Sequence, residues 1–400
     1  MAVSFSSSLA GDWPWWRGPD RNGVAESGQT PPTQFSETQN VKWAVPVPGR
    51  GHGSATVVGR RVFLAIAEPG PQTQSVLCLD RETGKELWKT RIHEGGWPTK
   101  SNKKGSQAST SPACDGKHVF INFWNDGAVY TTALGLDGKL LWQTKITDYK
   151  IHQSYASSPA LYDGSVIVSA DNKLGGAICA LKKSNGEVIW KVDRPKMPNY
   201  ASPILLEAAG KTQLFFTGCE LVTSLDPETG EKNWEIEGAT TECVTSTVTD
   251  GERIFTSGGY PKNHVAAVAA DGSGKVIWEN KNRVYVPSML LKDGFLYGVM
   301  DAGIAVCWNS ATGEEIWKGR LGGTFSSSPV LVDGLIYAAN ESGDVIVYKA
   351  DPTEFEIVAK NKLGDEIYSS PTICESAIFL RIAHFQGNHR QESLICLKQD

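Results

Sequence analysis

The side chains of this chain that are best suited to bind a ligand are aromatic, amide, imidazole and carboxylate groups that recur just ahead of short apolar segments. Aromatic faces and amide groups together suit recognition of a sugar or a peptide. The simpler alternative is that they only fill a central channel through solvent-bridged hydrogen bonds. The residues that the sequence places around such a channel mouth are His52, Gln107, His152, Gln153, Tyr155, Asn199, Tyr200, Glu242, Tyr285, Phe325 and Tyr368.

Carboxylates on the same loops raise the question of a metal ion. Calcium takes about six to eight oxygen ligands, so several loops would have to bring their carboxylates together. Solvation of the loops explains such charges more simply, and we predict no metal site. The four residues that remain as candidates for one are Glu220, Glu242, Asp301 and Glu341.

One insertion between repeats combines basic and aromatic residues. Trp97, Lys100, Lys103 and Lys104 stand close together in the chain. Such a loop could bind an acidic partner or a polysaccharide, with the tryptophan as its anchor. The alternative is a solvated loop, because runs of charge usually serve solubility.

The sequence lacks the usual catalytic signatures. No Gly-x-Ser-x-Gly elbow, His-Glu-x-x-His motif, phosphate loop or dinucleotide fingerprint occurs in the 400 residues. The eight cysteines include no adjacent pair and no haem-attachment spacing, so we expect no disulfide framework. The net charge of -5 without a basic stripe argues against nucleic acid. No run reaches the roughly 18 apolar residues of a membrane helix.

The elements that would position these residues follow from a repeat. Tryptophans at 43, 88, 142, 190, 234, 278 and 317 are separated by steps of 45, 54, 48, 44, 44 and 39. The segment Cys78-Leu-Asp-Arg-Glu-Thr-Gly-Lys-Glu-Leu-Trp88 recurs as 224–234 and 307–317. A second hairpin with an Asp-Gly turn precedes most copies, and Asp-Gly is a strong hairpin signal. Four short strands in about 40 residues predict one blade of a β-propeller.

The sequence predicts eight four-stranded antiparallel blades in one all-β domain covering 41–400, preceded by an extension at 1–40. The first strands are expected to start near Ser54, Ser109, Ser157, Ser202, Thr245, Pro287, Ser327 and Ser369. The last blade lacks a fourth strand, and 41–48 should supply it and close the ring. The predicted blades are 50–90, 107–145, 153–193, 200–237, 244–280, 286–320, 325–362 and 368–400 with 41–48. Trp13, Trp15, Trp16 and Arg17 are expected to pack over a blade or the ring's edge.

The turn motif 78–88 and its copies resemble the tryptophan-docking repeat of the pyrroloquinoline-quinone-like (PQQ-like) propellers. In such a repeat, Trp88, Trp142, Trp190, Trp234, Trp278 and Trp317 would wedge between adjacent blades. Quinoprotein dehydrogenases in this family hold PQQ beneath a vicinal disulfide with Ca²⁺, and this chain has no Cys-Cys pair. The BamB-like branch binds protein partners without a cofactor, and its length is similar.

The sequence therefore favours a non-catalytic, monomeric propeller without cofactor that binds a protein or carbohydrate through its loop-rich face. The alternative is a PQQ- and Ca²⁺-dependent alcohol or aldose dehydrogenase of reduced size, since a cofactor would supply the chemistry. Residues 1–10 are too short and polar for a signal peptide. Export to the periplasm or cell envelope is implied by the family resemblance.

Overall fold

The computed structural model describes residues 11–99, 102 and 104–399, and the regular elements in that part of the chain are β-strands. Alternating apolar segments joined by Gly-containing turns give eight sheets, each with four antiparallel strands. The prediction of an eight-bladed propeller is confirmed. Within the described ranges, no helix is long and apolar enough to cross a membrane.

The first half of the ring contains the closing strand and four complete blades. Its strands are β1 (Val41–Val47), β2 (Thr56–Val58), β3 (Arg61–Glu68), β4 (Thr73–Asp80), β5 (Glu86–Glu94), β6 (Ala113–Cys114), β7 (His118–Asn125), β8 (Ala128–Gly135), β9 (Leu140–Asp148), β10 (Ala160–Tyr162), β11 (Ser165–Ser169), β12 (Gly176–Lys182), β13 (Val188–Arg194), β14 (Ile204–Ala208), β15 (Lys211–Gly218), β16 (Leu221–Leu225) and β17 (Lys232–Glu237).

The second half contains three complete blades and the three inner strands of blade 8. Its strands are β18 (Val248–Thr249), β19 (Arg253–Gly258), β20 (His264–Ala269), β21 (Val276–Asn280), β22 (Leu290–Lys292), β23 (Phe295–Met300), β24 (Ile304–Asn309), β25 (Glu315–Arg320), β26 (Val330–Val332), β27 (Leu335–Ala339), β28 (Asp344–Lys349), β29 (Ile357–Lys362), β30 (Thr372–Cys374), β31 (Ala377–Gln386) and β32 (His389–Leu397).

The ring closes where the sequence predicts. Strand β1 pairs antiparallel with β32, from Val41 opposite Leu397 to Val47 opposite Glu392. Blade 8 is thereby completed by the start of the propeller, which removes an open sheet edge. The second and third strands are mostly buried, as in β3 and β4, whereas outer strands such as β5 are largely exposed. The core therefore lies between the faces of neighbouring blades.

The repeated tryptophans join each blade to the next. The indole Nε1 of Trp88 donates to the Leu136 carbonyl at 3.0 Å, and that of Trp190 donates to Pro227 at 3.2 Å. Trp43, Trp142, Trp278 and Trp317 make the same bond to the following blade. Trp234 differs, because its Nε1 donates to the Gln213 side chain of its own blade.

A glycine makes room for six of these seven indoles. Gly230 has a φ of +74°, and a Cβ there would lie 2.6 Å from the Trp190 ring. The Thr-Gly turn therefore needs glycine both for its backbone conformation and for the close approach of the ring. Blade 7 lacks this glycine, and Phe355 packs on Trp317 instead, with ring centroids 5.3 Å apart.

Candidate functional site

The central channel is closed at one end by the N-terminal extension. Residues 12–25, here called the plug, cross the end of the channel where the Asp-Gly turns lie. Trp13 pairs with Val57 of β2 through two backbone bonds of 2.8 and 2.9 Å. Further on, the Ala25 N–H donates to the Leu331 carbonyl of β26 at 2.8 Å. The plug therefore spans the channel from blade 1 to blade 7, rather than packing on one blade or at the edge.

A buried arginine fixes the centre of the plug. Arg17 Nη1 donates to the Pro329 carbonyl at 3.0 Å, and Nη2 donates to Met289 at 2.7 Å and Asn22 at 2.9 Å. Burial lowers the pKa of the Arg17 guanidinium to about 9. Because buried carbonyls need hydrogen-bond donors, this one side chain supplies donors to carbonyls of the plug, of blade 6 and of blade 7.

A ring of serines surrounds the channel above the plug. The backbone N–H of one ring serine donates to the Oγ of the ring serine in the next blade, at 2.8–3.0 Å. These donor-to-acceptor pairs are Ser54 to Ser111, Ser111 to Ser158, Ser158 to Ser202, Ser246 to Ser288, Ser288 to Ser328, Ser328 to Ser370, and Ser370 to Ser54. No such bond joins Ser202 to Ser246, both of which the structure describes. Ser246 Oγ instead accepts from Trp16 Nε1 at 2.8 Å.

The serine ring explains why the first strands are shorter than the sequence predicts. Strand β26 begins at Val330, whereas the sequence places the start near Ser327. The Ser328 N–H is used by the next blade, so it cannot pair with β27. The segment before each first strand therefore lines the channel and links blades instead of extending its own sheet.

At its other end the channel opens into a cavity of about 510 Å³. This end, here called the mouth, lies on the face that carries the loops between second and third strands and between blades. Serines form the lower wall, namely Ser111, Ser158, Ser202, Ser328 and Ser370. Aromatic side chains line it as well, namely Trp16, Tyr200, Tyr285, Phe325 and Tyr368. The charged groups among its described lining residues are two cations and two carboxylates, Lys104, Arg283, Asp301 and Glu341.

Two tyrosines of the mouth are held from behind by a buried carboxylate. Tyr285 Oη donates to Glu242 Oε2 at 3.2 Å, and Glu242 is only 4% exposed. His152 Nδ1 lies 3.1 Å from Tyr200 Oη and 3.4 Å from Glu242 Oε1. Burial raises the pKa of both tyrosines, so their hydroxyls stay protonated and can donate. The network fixes the two rings as part of the cavity wall.

The opposite wall is made by a stacked pair. The rings of His52 and Tyr368 lie 4.4 Å apart with an angle of 22° between their planes. Burial, together with Arg50, Arg381 and Arg390, holds the pKa of His52 well below its usual value. The imidazole is therefore neutral at pH 7 and adds no charge to the mouth.

The structure brings six of the eleven predicted mouth residues to the cavity wall. They are His52, Gln153, Tyr200, Tyr285, Phe325 and Tyr368. His152 and Glu242 lie behind them in the tyrosine network. Gln107 and Tyr155 border a separate small crevice, and Tyr155 Oη donates to the Ser169 carbonyl at 2.8 Å. Asn199 is buried and bonds to Asp171, Thr217 and Cys243.

The four candidate carboxylates are engaged with different partners. Glu220 accepts from Thr241 Oγ1 at 3.0 Å. Asp301 Oδ2 accepts the Tyr285 N–H at 2.9 Å, and burial raises the pKa of this carboxyl. Among the residues that the structure describes, no three His, Cys, Asp or Glu side chains come together to hold a metal ion.

The basic insertion reaches the mouth through Lys104. Its Nζ lies 2.7 Å from Glu341 Oε2 across the channel, and Ser326 Oγ donates to the same carboxylate at 2.6 Å. Asn102 donates to the Gln153 side chain and also lines the cavity. Trp97 packs with the hydrophobic cluster between blades 1 and 2. Lys100 and Lys103 lie outside the described residues.

Sequence reasoning missed the serine ring, Arg283 and the position of Trp16. A signal for the ring exists, because Ser-Pro recurs at 111–112, 158–159, 202–203, 328–329 and 370–371. Proline cannot donate a hydrogen bond, so the preceding serine is left as the last donor before the strand. No local signal marks Trp16, since its partner Ser246 is 230 residues away.

Comparison with known proteins adds a family. A family model described as "Outer membrane protein assembly factor BamB" matches residues 72–318 and 261–356. The chain is 26% identical over 369 residues to an outer membrane protein assembly factor BamB of Burkholderia pseudomallei, covering 87% of each chain. It is 30% identical over 207 residues to a polyvinylalcohol dehydrogenase of Pseudomonas sp., covering 48% of this chain but 30% of that one.

Solved structures share the fold at low sequence identity. BamB from Moraxella catarrhalis superposes with a TM-score of 0.62 at 13% identity, covering 89% of this chain and 99% of that one. A europium-containing methanol dehydrogenase superposes with a TM-score of 0.66 at 12% identity, covering 94% and 90%. The repeat, the ring and the match over most of the propeller agree: the chain belongs to the PQQ-like propeller family described as outer membrane protein assembly factor BamB.

Proposed function

We propose that this chain is a non-catalytic propeller that binds a protein partner through its loop-rich face. The observation that carries this proposal is a set of exposed apolar side chains on that face. Leu174, Tyr260 and Phe385 are 54%, 53% and 43% exposed, and each lies at or beside a loop between a second and a third strand. Apolar groups presented on variable loops over a rigid scaffold are typical of a docking surface.

The relatives support a partner in the cell envelope. The Burkholderia protein is named an outer membrane protein assembly factor, and the match extends over most of both chains. The Pseudomonas dehydrogenase is covered over less than a third of its length. We therefore propose an exported protein that acts as a monomer in assembling other envelope proteins.

The alternative is a small PQQ- and Ca²⁺-dependent dehydrogenase, and the residues of the mouth fit it poorly. PQQ carries three carboxylates, and the calcium beside it would need several oxygen ligands. In the part of the chain that the structure describes, the carboxylates lining the cavity are Asp301 and Glu341, and Glu341 is already paired with Lys104. Within the described residues, the eight cysteines are all free and buried, so none forms a lid over the cavity.

Site-specific photo-crosslinking tests the docking face. The variant Tyr260→p-benzoylphenylalanine, irradiated in the native host, should give one dominant protein adduct, identified by mass spectrometry. Leu140→p-benzoylphenylalanine is the matched control, because Leu140 is 42% exposed but lies on the outer strand β9. Equal adducts at both positions, or none at Tyr260, would contradict the proposal.

Calorimetric titration with PQQ, with and without Ca²⁺, tests the alternative. We expect no binding heat and no dye-linked oxidation of alcohols or aldoses. Micromolar, Ca²⁺-dependent binding with turnover would replace the binding proposal with a dehydrogenase.

A further inference from the structure

We propose that the cavity at the channel mouth binds a neutral saccharide about two sugar rings long. This site lies on the same face as the proposed protein docking surface but uses different residues, and it does not depend on that proposal. Its volume of about 510 Å³ lies within the roughly 300–1,000 Å³ common for small-molecule sites.

The lower wall of the cavity offers hydrogen-bond donors. Each ring serine of the lower wall accepts a backbone N–H from the preceding blade, for example Ser328 from Ser288 at 2.9 Å and Ser370 from Ser328 at 2.8 Å. A hydroxyl that accepts in this way still has one proton to donate. None of the bonds between described residues uses the hydroxyl protons of the five lower-wall serines, Ser111, Ser158, Ser202, Ser328 and Ser370. A ligand that reaches the ring must therefore bring acceptors.

The upper part of the cavity offers acceptors instead. Asp301 receives one N–H at Oδ2, and Glu341 is bonded to Lys104 and Ser326. A carboxylate has about four lone-pair sites, so both retain capacity to accept. Sugar hydroxyls donate and accept through the same atom, and they satisfy both parts of the cavity.

The charge balance favours a neutral ligand. Among the described residues that line the cavity, Lys104 and Arg283 supply two positive charges, and Asp301 and Glu341 supply two negative ones. His52 lies among Arg50, Arg381 and Arg390 and is neutral. An anion would meet the carboxylates, and a cation would find no cluster of three acidic groups among the described residues.

The aromatic walls are held in place before a ligand arrives. Tyr285 and Tyr200 are fixed through Glu242 and His152, and Tyr368 is stacked on His52. The C–H face of a sugar ring can pack on such rings while its hydroxyls reach the polar groups between them. Preorganised walls reduce the entropy lost on binding.

An apolar peptide side chain suits the cavity less well. It would cover the serine hydroxyls without giving them acceptors, and a buried hydroxyl left without a partner weakens binding. A polar peptide is the remaining competitor, and the test below separates it from a saccharide.

Saturation-transfer difference NMR on the full chain tests the site, with maltose, cellobiose, lactose and diacetylchitobiose as probes. At least one disaccharide should bind with a Kd of about 1 mM or tighter. Ala156 lines the cavity, so Ala156→Trp should fill it and weaken binding at least tenfold. The exposed Ala311 gives the matched control, and Ala311→Trp should bind like the wild type.

A second pair of variants tests stacking. Tyr285→Leu should weaken disaccharide binding about fivefold to tenfold, whereas Tyr285→Phe keeps the ring but loses the bond to Glu242 and should weaken binding less than Tyr285→Leu. Absence of binding by all four disaccharides, or binding unaffected by Ala156→Trp, would overturn the proposal. So would the tetrapeptide Gly-Ser-Tyr-Gly binding where the disaccharides do not, and the photo-crosslinking result at Tyr260 would stand in either case.

Discussion

The two ends of the channel differ, because one is closed and the other is open. The plug closes one end with backbone pairing and buried side chains, as Trp13 pairs with Val57 and Arg17 donates to Pro329 and Met289. The mouth stays open and is lined by side chains from loops of unequal length. The plug end therefore depends on a few specific buried hydrogen bonds such as those of Arg17, whereas the mouth can vary while the ring beneath it stays intact.

The serine ring marks the boundary between these ends. Below it, Trp16 bonds to Ser246 and belongs to the plug. Above it, Tyr200 and Tyr285 depend on a second layer, Glu242 and His152, rather than on the backbone. Stability and recognition are thus separated along the channel axis. Substitutions at the plug should lower the unfolding free energy, whereas substitutions at the mouth should change ligand binding.

The largest effect should come from removing one of the tryptophans that wedge between neighbouring blades. Trp190→Ala deletes a buried indole between blades 3 and 4 and its bond to Pro227, and should cost about 3–5 kcal/mol of unfolding free energy. Urea unfolding followed by circular dichroism measures the loss. Trp190→Phe is the control and should lose less, since it keeps most of the ring. A loss under about 1 kcal/mol for Trp190→Ala would contradict the wedge between blades.

Breaking the plug should come next. Arg17→Met removes three hydrogen bonds from a buried cation and leaves the carbonyls of Met289 and Pro329 without that donor, a loss of about 3 kcal/mol. The same unfolding experiment measures it, with the exposed Arg320→Met as control. If Arg17→Met unfolds like Arg320→Met, the plug does not stabilise the ring.

The fold could be predicted from sequence because its signals are local. Asp-Gly and Thr-Gly turns fix hairpins within a few residues, and the repeat multiplies that signal around the ring. Ring closure could also be predicted, because the segment 41–48 lacked a hairpin partner of its own. The strand starts were less predictable, because the Ser328 N–H serves blade 8 rather than its own sheet.

The site was only partly predictable, because its geometry depends on contacts between distant residues. Tyr200 and Tyr285 could be placed at the mouth from blade register alone. The positions of His152 and Glu242 behind these tyrosines depend on side-chain packing between residues that are 43 to 48 positions apart in the chain. The plug was harder still to predict, because Arg17 bonds to Pro329, which is 312 residues away in the chain. No sequence motif near either residue indicates this pairing.

Lowering the pH should destabilise the mouth before the plug. The pKa of His52 is well below its unfolded value of about 6.5, so the unfolded state binds more protons in that range. The stabilising contribution of neutral His52 is complete above about pH 6.5 and falls as the pH drops through that value. Hydrogen exchange at pH 7.5 and 5.0 should show earlier loss of protection at 50–54 and 366–369 than at 12–18.

The variant His52→Gln isolates this contribution. Its unfolding free energy should change less between pH 7.5 and 5.0 than that of the wild type, because the remaining acid sensitivity comes from other groups. His93 is one of them, since burial lowers its pKa to about 4, and His264 is another. An unchanged pH dependence in His52→Gln would assign the acid response to groups other than His52, with His93 and His264 as the first to test.

The smallest effect on stability should come from the loop tips of the mouth. Leu174→Ser replaces a side chain that is 54% exposed, and the unfolding free energy should stay within about 0.5 kcal/mol of the wild type. Leu206→Ser is the matched comparison, because Leu206 is 6% exposed and packs in the hydrophobic cluster of blades 4 and 5. A loss above about 1 kcal/mol for Leu174→Ser would mean that the tip packs on the ring. The loop-rich face would then share the stabilising role assigned to the plug, and Leu174 would no longer be free to contact a partner.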